Sequence, residues 1–183
     1  MAGYYRKYAQ QKANQWWGAN PLFLDTETTG LGPDAEIIEI CIIDNDGEIL
    51  LDTLIHPSRK IPLDATRIHG ITDEQVDKAP SWLYLWPRLK EIITGRIIGI
   101  YNADFDLKFL RRDAKKIKRE INNEIIDAYK LSKMAFPKLR NYKLTSVAEH
   151  LDIDTQNAHR ALDDCKLTIQ VFSVAAYKIK NYS

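Results

Sequence analysis

The stretch Phe23-Leu24-Asp25-Thr26-Glu27 is the most informative segment of this chain. Its apolar beginning predicts a β-strand, in which successive side chains alternate between the two faces of a sheet. Asp25 and Glu27 therefore project from the same side. Like charges this close raise each other's pKa unless a cation lies between them, and a carboxylate pair suits Mg²⁺ or Mn²⁺. Taken alone, the pair is equally typical of an exposed strand end.

Short apolar runs along the rest of the chain predict a mixed sheet. Four further strands are expected at 35–44, 48–56, 96–101 and 125–126, the first two joined as a hairpin. Apolar spacing predicts helices at 81–94, 104–118, 127–134, 142–151 and 160–178, although Pro87 would kink or shorten the first. A meander followed by strand–helix alternation indicates an α/β domain, which we expect at 21–183 after a helical extension at 1–20.

Composition narrows the class of protein. With 183 residues, 45% hydrophobic and 28% charged, the chain suits one domain with a sizeable core and excludes a disordered or collagen-like protein. No apolar run approaches the ~18–20 residues of a membrane span, and residues 1–14 lack the apolar core of a secretory signal. Cys41 and Cys165 are interpreted as buried thiols in a reducing compartment, so we expect a cytoplasmic protein without a membrane partner.

Basic residues are segregated although the net charge is only +1. Seven of them lie between residues 108 and 119, against a single acid, Asp113. Such a segment can attract a polyanion or can simply be a solvated helix face. The extension at 1–20 also mixes basic residues with Tyr4, Tyr5, Tyr8, Trp16 and Trp17, which could stack on bases or pack a helix onto the domain.

Two more acidic segments lie at predicted strand and helix ends. Asp104 and Asp106 follow the fourth strand, where open α/β sheets place their sites; helix capping would explain one acid more readily than both. Asn102, just before them, offers an amide to a phosphate or sugar, or holds the loop.

His159 precedes the last helix and Asp164 lies within it, so an imidazole that titrates near neutral pH would stand beside a carboxylate. Ordinary charge at a helix start is the alternative.

Together these segments resemble the three exonuclease motifs of the DEDDh 3′–5′ exonucleases, in the right order and at fitting separations. The likeness is greatest to the proofreading subunit of the bacterial replicative DNA polymerase. It extends to Ile68-His-Gly-Ile-Thr72 and Tyr142-Lys-Leu-Thr-Ser-Val147, and covers roughly residues 21–172. The resemblance implies a ribonuclease H-like fold, with a mixed central sheet of about five strands flanked by helices.

The resemblance also implies two Mg²⁺ or Mn²⁺ ions and a set of site residues. By position, the metal-site acids are Asp25, Glu27, Asp106 and Asp164, and the general base is His159. Thr28 and His69 fall where the family contacts the terminal nucleotide, and Asn102 is added as a substrate-binding candidate. The chain departs from the family at Tyr101, where relatives often have histidine.

The expected activity is stepwise hydrolysis of single-stranded DNA from its 3′ end, with release of nucleoside 5′-monophosphates. The expected partner is a single-stranded 3′ end, and a DNA polymerase is a candidate partner; the sequence does not indicate an oligomeric state. Two alternatives stay open. One is an RNA-trimming exonuclease of the same family, although Asp25-Thr-Glu27-Thr favours DNA. The other is a non-catalytic nucleic-acid-binding module, which would have no use for a complete acid set.

Overall fold

One five-stranded sheet forms the centre of the protein, and the computed structural model describes residues 2–156 and 158–178. The strands are β1 (Leu22–Thr28), β2 (Ile37–Asp44), β3 (Ile49–Leu54), β4 (Ile98–Ile100) and β5 (Ile125–Asp127), in the order β3-β2-β1-β4-β5. β2 is antiparallel to β1 and β3, whereas β4 is parallel to β1 and β5. The mixed sheet predicted from the sequence is therefore confirmed.

Helices cover both faces of the sheet. They are α1 (Ala2–Gly18), α2 (Leu63–His69), α3 (Asp73–Val76), α4 (Trp82–Ile93), α5 (Ala103–Lys116), α6 (Ala128–Ala135), α7 (Leu144–His150) and α8 (Ala161–Ser173), and α8 continues as a π-helical turn, Val174–Lys178. The short helices α2 and α3 were not predicted. Pro87 lies inside α4 without ending it, because Leu85, Leu89 and Ile93 on its inner face pack into the core. In the part of the chain that the structure describes, no helix combines the length and apolarity that a membrane span requires.

The alternation of β1 divides the core into two layers. Phe23 faces α8, which lies over β1 and β2 together with α1, α6 and α7. Leu22 and Leu24 face the opposite layer, which α4 and α5 form. Covered on both faces, β2 is buried along nearly its whole length, as sheets with two covered faces require. Cys41 and Cys165 are free and buried in the α8 layer, which confirms the prediction of buried thiols.

The N-terminal helix α1 belongs to the same packed layer. Ala9 and Ala13 are completely buried, and Trp16 and Trp17 pack against the core. The ring of Trp17 stacks on Phe172 of α8 with 6.0 Å between the ring centroids. Packing on the domain, rather than stacking on bases, is therefore the role of the two tryptophans. Three tyrosines of the same helix remain exposed: Tyr4, Tyr5 and Tyr8.

Candidate active site

Strand β1 delivers two carboxylates to the side of the sheet that α8 covers. Asp25 and Glu27 lie in register with Cys41 and Glu39 of β2. The pairing register shifts between Glu27 and Thr28, at the carboxyl end of β1. Bulges of this kind re-aim side chains and are frequent beside active sites. Asp25 and Glu27 therefore lie on one face of β1, close to the register shift at its carboxyl end.

Helix α8 brings a third carboxylate to this edge from a distant part of the chain. Asp164 lies in its first turn, and its backbone amide donates to the Arg160 carbonyl at 2.9 Å. Its carboxylate accepts a hydrogen bond from the His159 backbone amide at 3.3 Å. Asp25, Glu27 and Asp164 each offer an oxygen, and these oxygens lie within 4.8 Å of one another. The structure therefore brings together three of the four predicted metal-site acids.

Asp106 reaches the same region from α5 but is held differently. Its side chain is buried, and its Oδ1 accepts hydrogen bonds from the Thr26 hydroxyl at 2.6 Å and the Thr26 amide at 3.1 Å. Thr26 lies between the two acids of β1 and projects to the opposite face. Asp106 does not belong to the group formed by Asp25, Glu27 and Asp164, whose oxygens lie within 4.8 Å of one another. Its charge nevertheless raises the pKa of Asp25.

The acid cluster is electrostatically strained in the absence of a cation. Burial, followed by the charges of Asp106, Asp164 and Glu27, raises the pKa of Asp25 well above its usual range. Burial and Asp164 raise the pKa of Glu27 to about 8, and burial raises the pKa of Asp106 to about 7. Burial also raises the pKa of Asp164. A divalent cation would relieve this repulsion, and a donor set of carboxylate oxygens fits Mg²⁺ or Mn²⁺.

His159 lies at the mouth of a groove that opens beside Asp164. Its backbone is left-handed, with φ of 78°, and its side chain is exposed. The groove has a volume of about 560 Å³; its lining includes Asn102, Asn141, Lys143, Thr145 and the tyrosines 101, 129 and 142. The hydroxyl of Tyr101 donates to the Tyr142 carbonyl at 2.7 Å, so the position where relatives often carry histidine is structural here.

The three predicted substrate-binding residues lie in different surroundings. Asn102 precedes α5 in a left-handed conformation, with φ of 61°, which asparagine tolerates better than most residues. The Thr28 hydroxyl donates to the Gly30 carbonyl at 2.8 Å.

His69 ends α2, and Gly70 follows it in the left-handed conformation. Its Nδ1 accepts from the Ile71 amide at 3.0 Å, and its ring also interacts with the Thr28 backbone. Burial lowers the pKa of His69, and the charge of Glu39 opposes this shift.

An ion pair that was not predicted, between a buried acid and a half-exposed arginine, joins β2 to α8. Glu39 is 2% exposed, and its carboxylate accepts from Arg160 Nε at 3.1 Å, from Arg160 Nη2, and from the Ala161 amide at 3.1 Å. The sequence carried one indication of this ion pair: Glu39 is an acid within an otherwise apolar strand, and an acid that is buried needs a partner. Its partner lies 121 residues away, and no local pattern identifies it.

Other acidic and histidine side chains have structural roles. Asp127 caps α6 by accepting hydrogen bonds from the amides of Tyr129 and Lys130, as predicted. His56 contacts the Val76 carbonyl at 2.9 Å, and His150 is exposed next to the ring of Phe136. Neither histidine belongs to the acid cluster.

Comparison with known proteins identifies the family. The sequence model of the exonuclease family RNase_T matches residues 22–172. Exonuclease CP81 of Escherichia phage 186 is 38% identical over 180 residues, which are 91% of this chain and 93% of that protein. The DNA polymerase III epsilon subunit of Treponema pallidum is 31% identical over 156 residues, 81% of this chain and 73% of the subunit. The chain is also similar to PolC-type DNA polymerase III proteins but spans only 11% of their length.

Solved structures agree with this assignment. Exonuclease X in complex with 5′-overhanging duplex DNA aligns with a TM-score of 0.67 at 28% identity, over 88% of this chain and 92% of that chain. Exonuclease I shares the fold, with a TM-score of 0.75 at 19% identity, over 89% of this chain and 42% of that chain. The expected ribonuclease H-like fold and family resemblance are confirmed: the chain belongs to the RNase_T exonuclease family.

Proposed function

We propose that this protein is a divalent-metal-dependent 3′–5′ exonuclease that acts on single-stranded DNA and releases nucleoside 5′-monophosphates. The observation that carries the proposal is the group of three carboxylates, Asp25, Glu27 and Asp164, with oxygens within 4.8 Å of one another beside an open groove. Partly buried acids whose pKa is raised by desolvation and by one another's charges are costly to the fold unless they serve a cation.

The same three acids would hold Mg²⁺ or Mn²⁺, and we expect two ions, as in the family. When bound, the ions supply an activated water and neutralise charge on the reacting phosphate. Asp106 would complete the acid set; its hydrogen bonds from Thr26 keep its carboxylate in one orientation. Asp25 and Glu27 are positioned by the sheet and Asp164 by α8, so the cluster does not depend on a flexible loop.

His159 is the proposed general base. It stands at the groove, exposed to solvent and next to Asp164, where it can accept a proton from the attacking water. Thr28, His69 and Asn102 are the proposed contacts to the terminal nucleotide. Asn102 lines the groove that would receive the strand.

The substrate is inferred from the relatives. Exonuclease X was solved with 5′-overhanging duplex DNA, and the epsilon relative is a subunit of DNA polymerase III. We therefore propose a DNA 3′ end as the substrate and a DNA polymerase as a candidate partner, in the cytoplasm, where bacterial replication takes place.

The direct test is cleavage of matched single-stranded DNA and RNA that carry a label at the 5′ end. With Mg²⁺ or Mn²⁺, we expect a ladder that shortens from the 3′ end, with mononucleotide 5′-phosphates as products. Excess chelator should abolish cleavage, and Asp164→Ala should serve as the inactive control. Full activity in chelator would exclude the proposed metal dependence, and faster cleavage of RNA would assign the chain to RNA trimming.

A further inference from the structure

The structure separates the seven basic residues at 108–119 into two groups. Three of them are engaged by the protein itself. The Lys108 ammonium lies 3.4 Å from the Leu31 carbonyl, Arg112 binds Asp113 through two hydrogen bonds, and Lys116 pairs with Asp113 at 2.9 Å. These contacts hold the three side chains to the surroundings of α5, and none of the three lines the groove that the other four basic residues share.

The other four basic residues line a separate groove with a volume of about 990 Å³. They are Arg111, Lys115, Lys118 and Arg119, and Lys90 of α4 joins them. All five are exposed, and among the described residues no carboxylate lies within 4 Å of their charged nitrogens. The single acid of the lining is Glu120, and its carboxylate accepts from Asn122 at 3.0 Å. An excess of five cations over one acid in a single groove favours a polyanion as its ligand.

The groove lies at the other end of α5 from the acid cluster. Asp106 stands in the first turn of this helix, whereas Lys115 is in its last turn. Lys115 follows Asp106 by nine positions, which is about 14 Å along the helix axis, and α5 belongs to the layer on the opposite face of the sheet from α8. Apart from α5 itself, the elements that line the groove are α4 and the loop before β5, and none of its lining residues is a proposed catalytic or substrate contact.

We propose that this basic groove binds the phosphate backbone of the nucleic-acid strand whose 3′ end occupies the catalytic site. The inference rests on the proposed function, since the substrate is itself a polyanion and reaches far beyond one nucleotide. Arg111 and Lys115 are four residues apart on one side of α5, and Lys118 lies beyond the end of the helix in the lining of the same groove, so the three present several cations to a chain of phosphates. With its 3′ end held, a strand would meet this second site at a high effective concentration.

The test compares Arg111→Gln/Lys115→Gln/Lys118→Gln with wild type in chelator, by fluorescence anisotropy on single strands of about 4 and about 20 nucleotides. The triple variant should bind the long strand at least about tenfold more weakly at low salt. Its slope of log affinity against log salt should be smaller by about 2, because roughly 0.7 counterions are released per contact. Binding of the short strand should be unchanged.

Lys115→Gln and Lys116→Gln form a matched pair, because they remove the same charge from adjacent positions of one helix. Lys115→Gln should weaken long-strand binding, and Lys116→Gln should leave it near the wild-type value. Equal weakening by both, equal loss on long and short strands, or wild-type binding by the triple variant would each overturn the proposal. If the groove variants behave as expected but the wild type cleaves neither DNA nor RNA, the groove stands and the proposed function fails.

Discussion

The buried carboxylate of Glu39 and the half-exposed guanidinium of Arg160 form an ion pair that ties β2 to the beginning of α8. Arg160 lies directly after His159, and its carbonyl accepts from the Asp164 amide. Glu39 lies opposite Glu27 on the neighbouring strand, so without Arg160 it would add a further negative charge to the acid cluster. The pair therefore both positions α8 and limits repulsion at the site.

Removing Arg160 should be more costly than removing the whole pair. We expect Arg160→Gln to lower the free energy of unfolding by about 1–3 kcal/mol, because the buried Glu39 carboxylate keeps only the Ala161 amide as a donor. Glu39→Gln combined with Arg160→Gln should cost less than Arg160→Gln alone. Urea unfolding of wild type, Glu39→Gln, Arg160→Gln and the double variant measures this. The exposed Arg88–Glu91 pair is the control, where Arg88→Gln should cost under about 1 kcal/mol. Additive effects of the two substitutions would show that the pair is not coupled.

Metal binding should stabilise the folded protein through the acid cluster. At a hundredfold excess of Mn²⁺ over its Kd, the gain is about 2.7 kcal/mol, which would raise the melting temperature by roughly 5–10 °C. Asp25→Asn combined with Glu27→Gln should melt higher than wild type in chelator and should lose the Mn²⁺ response. A double variant that melts lower and still responds to Mn²⁺ would place the metal site elsewhere.

The raised carboxyl pKa values predict a pH dependence of stability in chelator. Near pH 4.5 the unfolded chain begins to release the Glu27 proton, whereas the native state retains it until the pH approaches about 8. The stabilising contribution of that proton is present at low pH and is lost as the pH rises through this window. The melting-temperature advantage of Asp25→Asn/Glu27→Gln over wild type should therefore grow from pH 5 to pH 8.5. A constant difference would contradict the raised pKa values.

Substitutions at three positions separate the general base from the ligands. His159→Ala should lose about 10²–10⁴-fold in turnover and keep Mn²⁺ and DNA binding, because its imidazole is a proton acceptor rather than a ligand. Asp164→Ala should lose both turnover and tight Mn²⁺ binding. His150→Ala, at an exposed position outside the cluster, should change neither. Turnover of His159→Ala within a few-fold of wild type would remove His159 from the mechanism.

Local patterns were sufficient to predict the strands, most of the helices and the identity of the acidic segments. Period-two alternation places Asp25 and Glu27 on one face whatever surrounds them, because it follows from the geometry of a single strand. Helix capping by Asp127 is equally local, since the donors lie two and three residues away. The short helices α2 and α3 escaped prediction because few turns leave little periodicity to detect.

The tertiary structure alone decided which of these residues meet and which charges remain free. Thr26 holds Asp106 across 80 residues, and Glu39 holds Arg160 across 121, so neither contact can be inferred from spacing. Lys115 and Lys116 are the same residue type at adjacent positions, yet one lines the basic groove and the other pairs with Asp113. The sequence by itself determined the chemistry available to this protein, because side-chain type and strand or helix periodicity are local properties. Partner choice was decided by packing, because it depends on which distant segments the core brings within hydrogen-bonding distance.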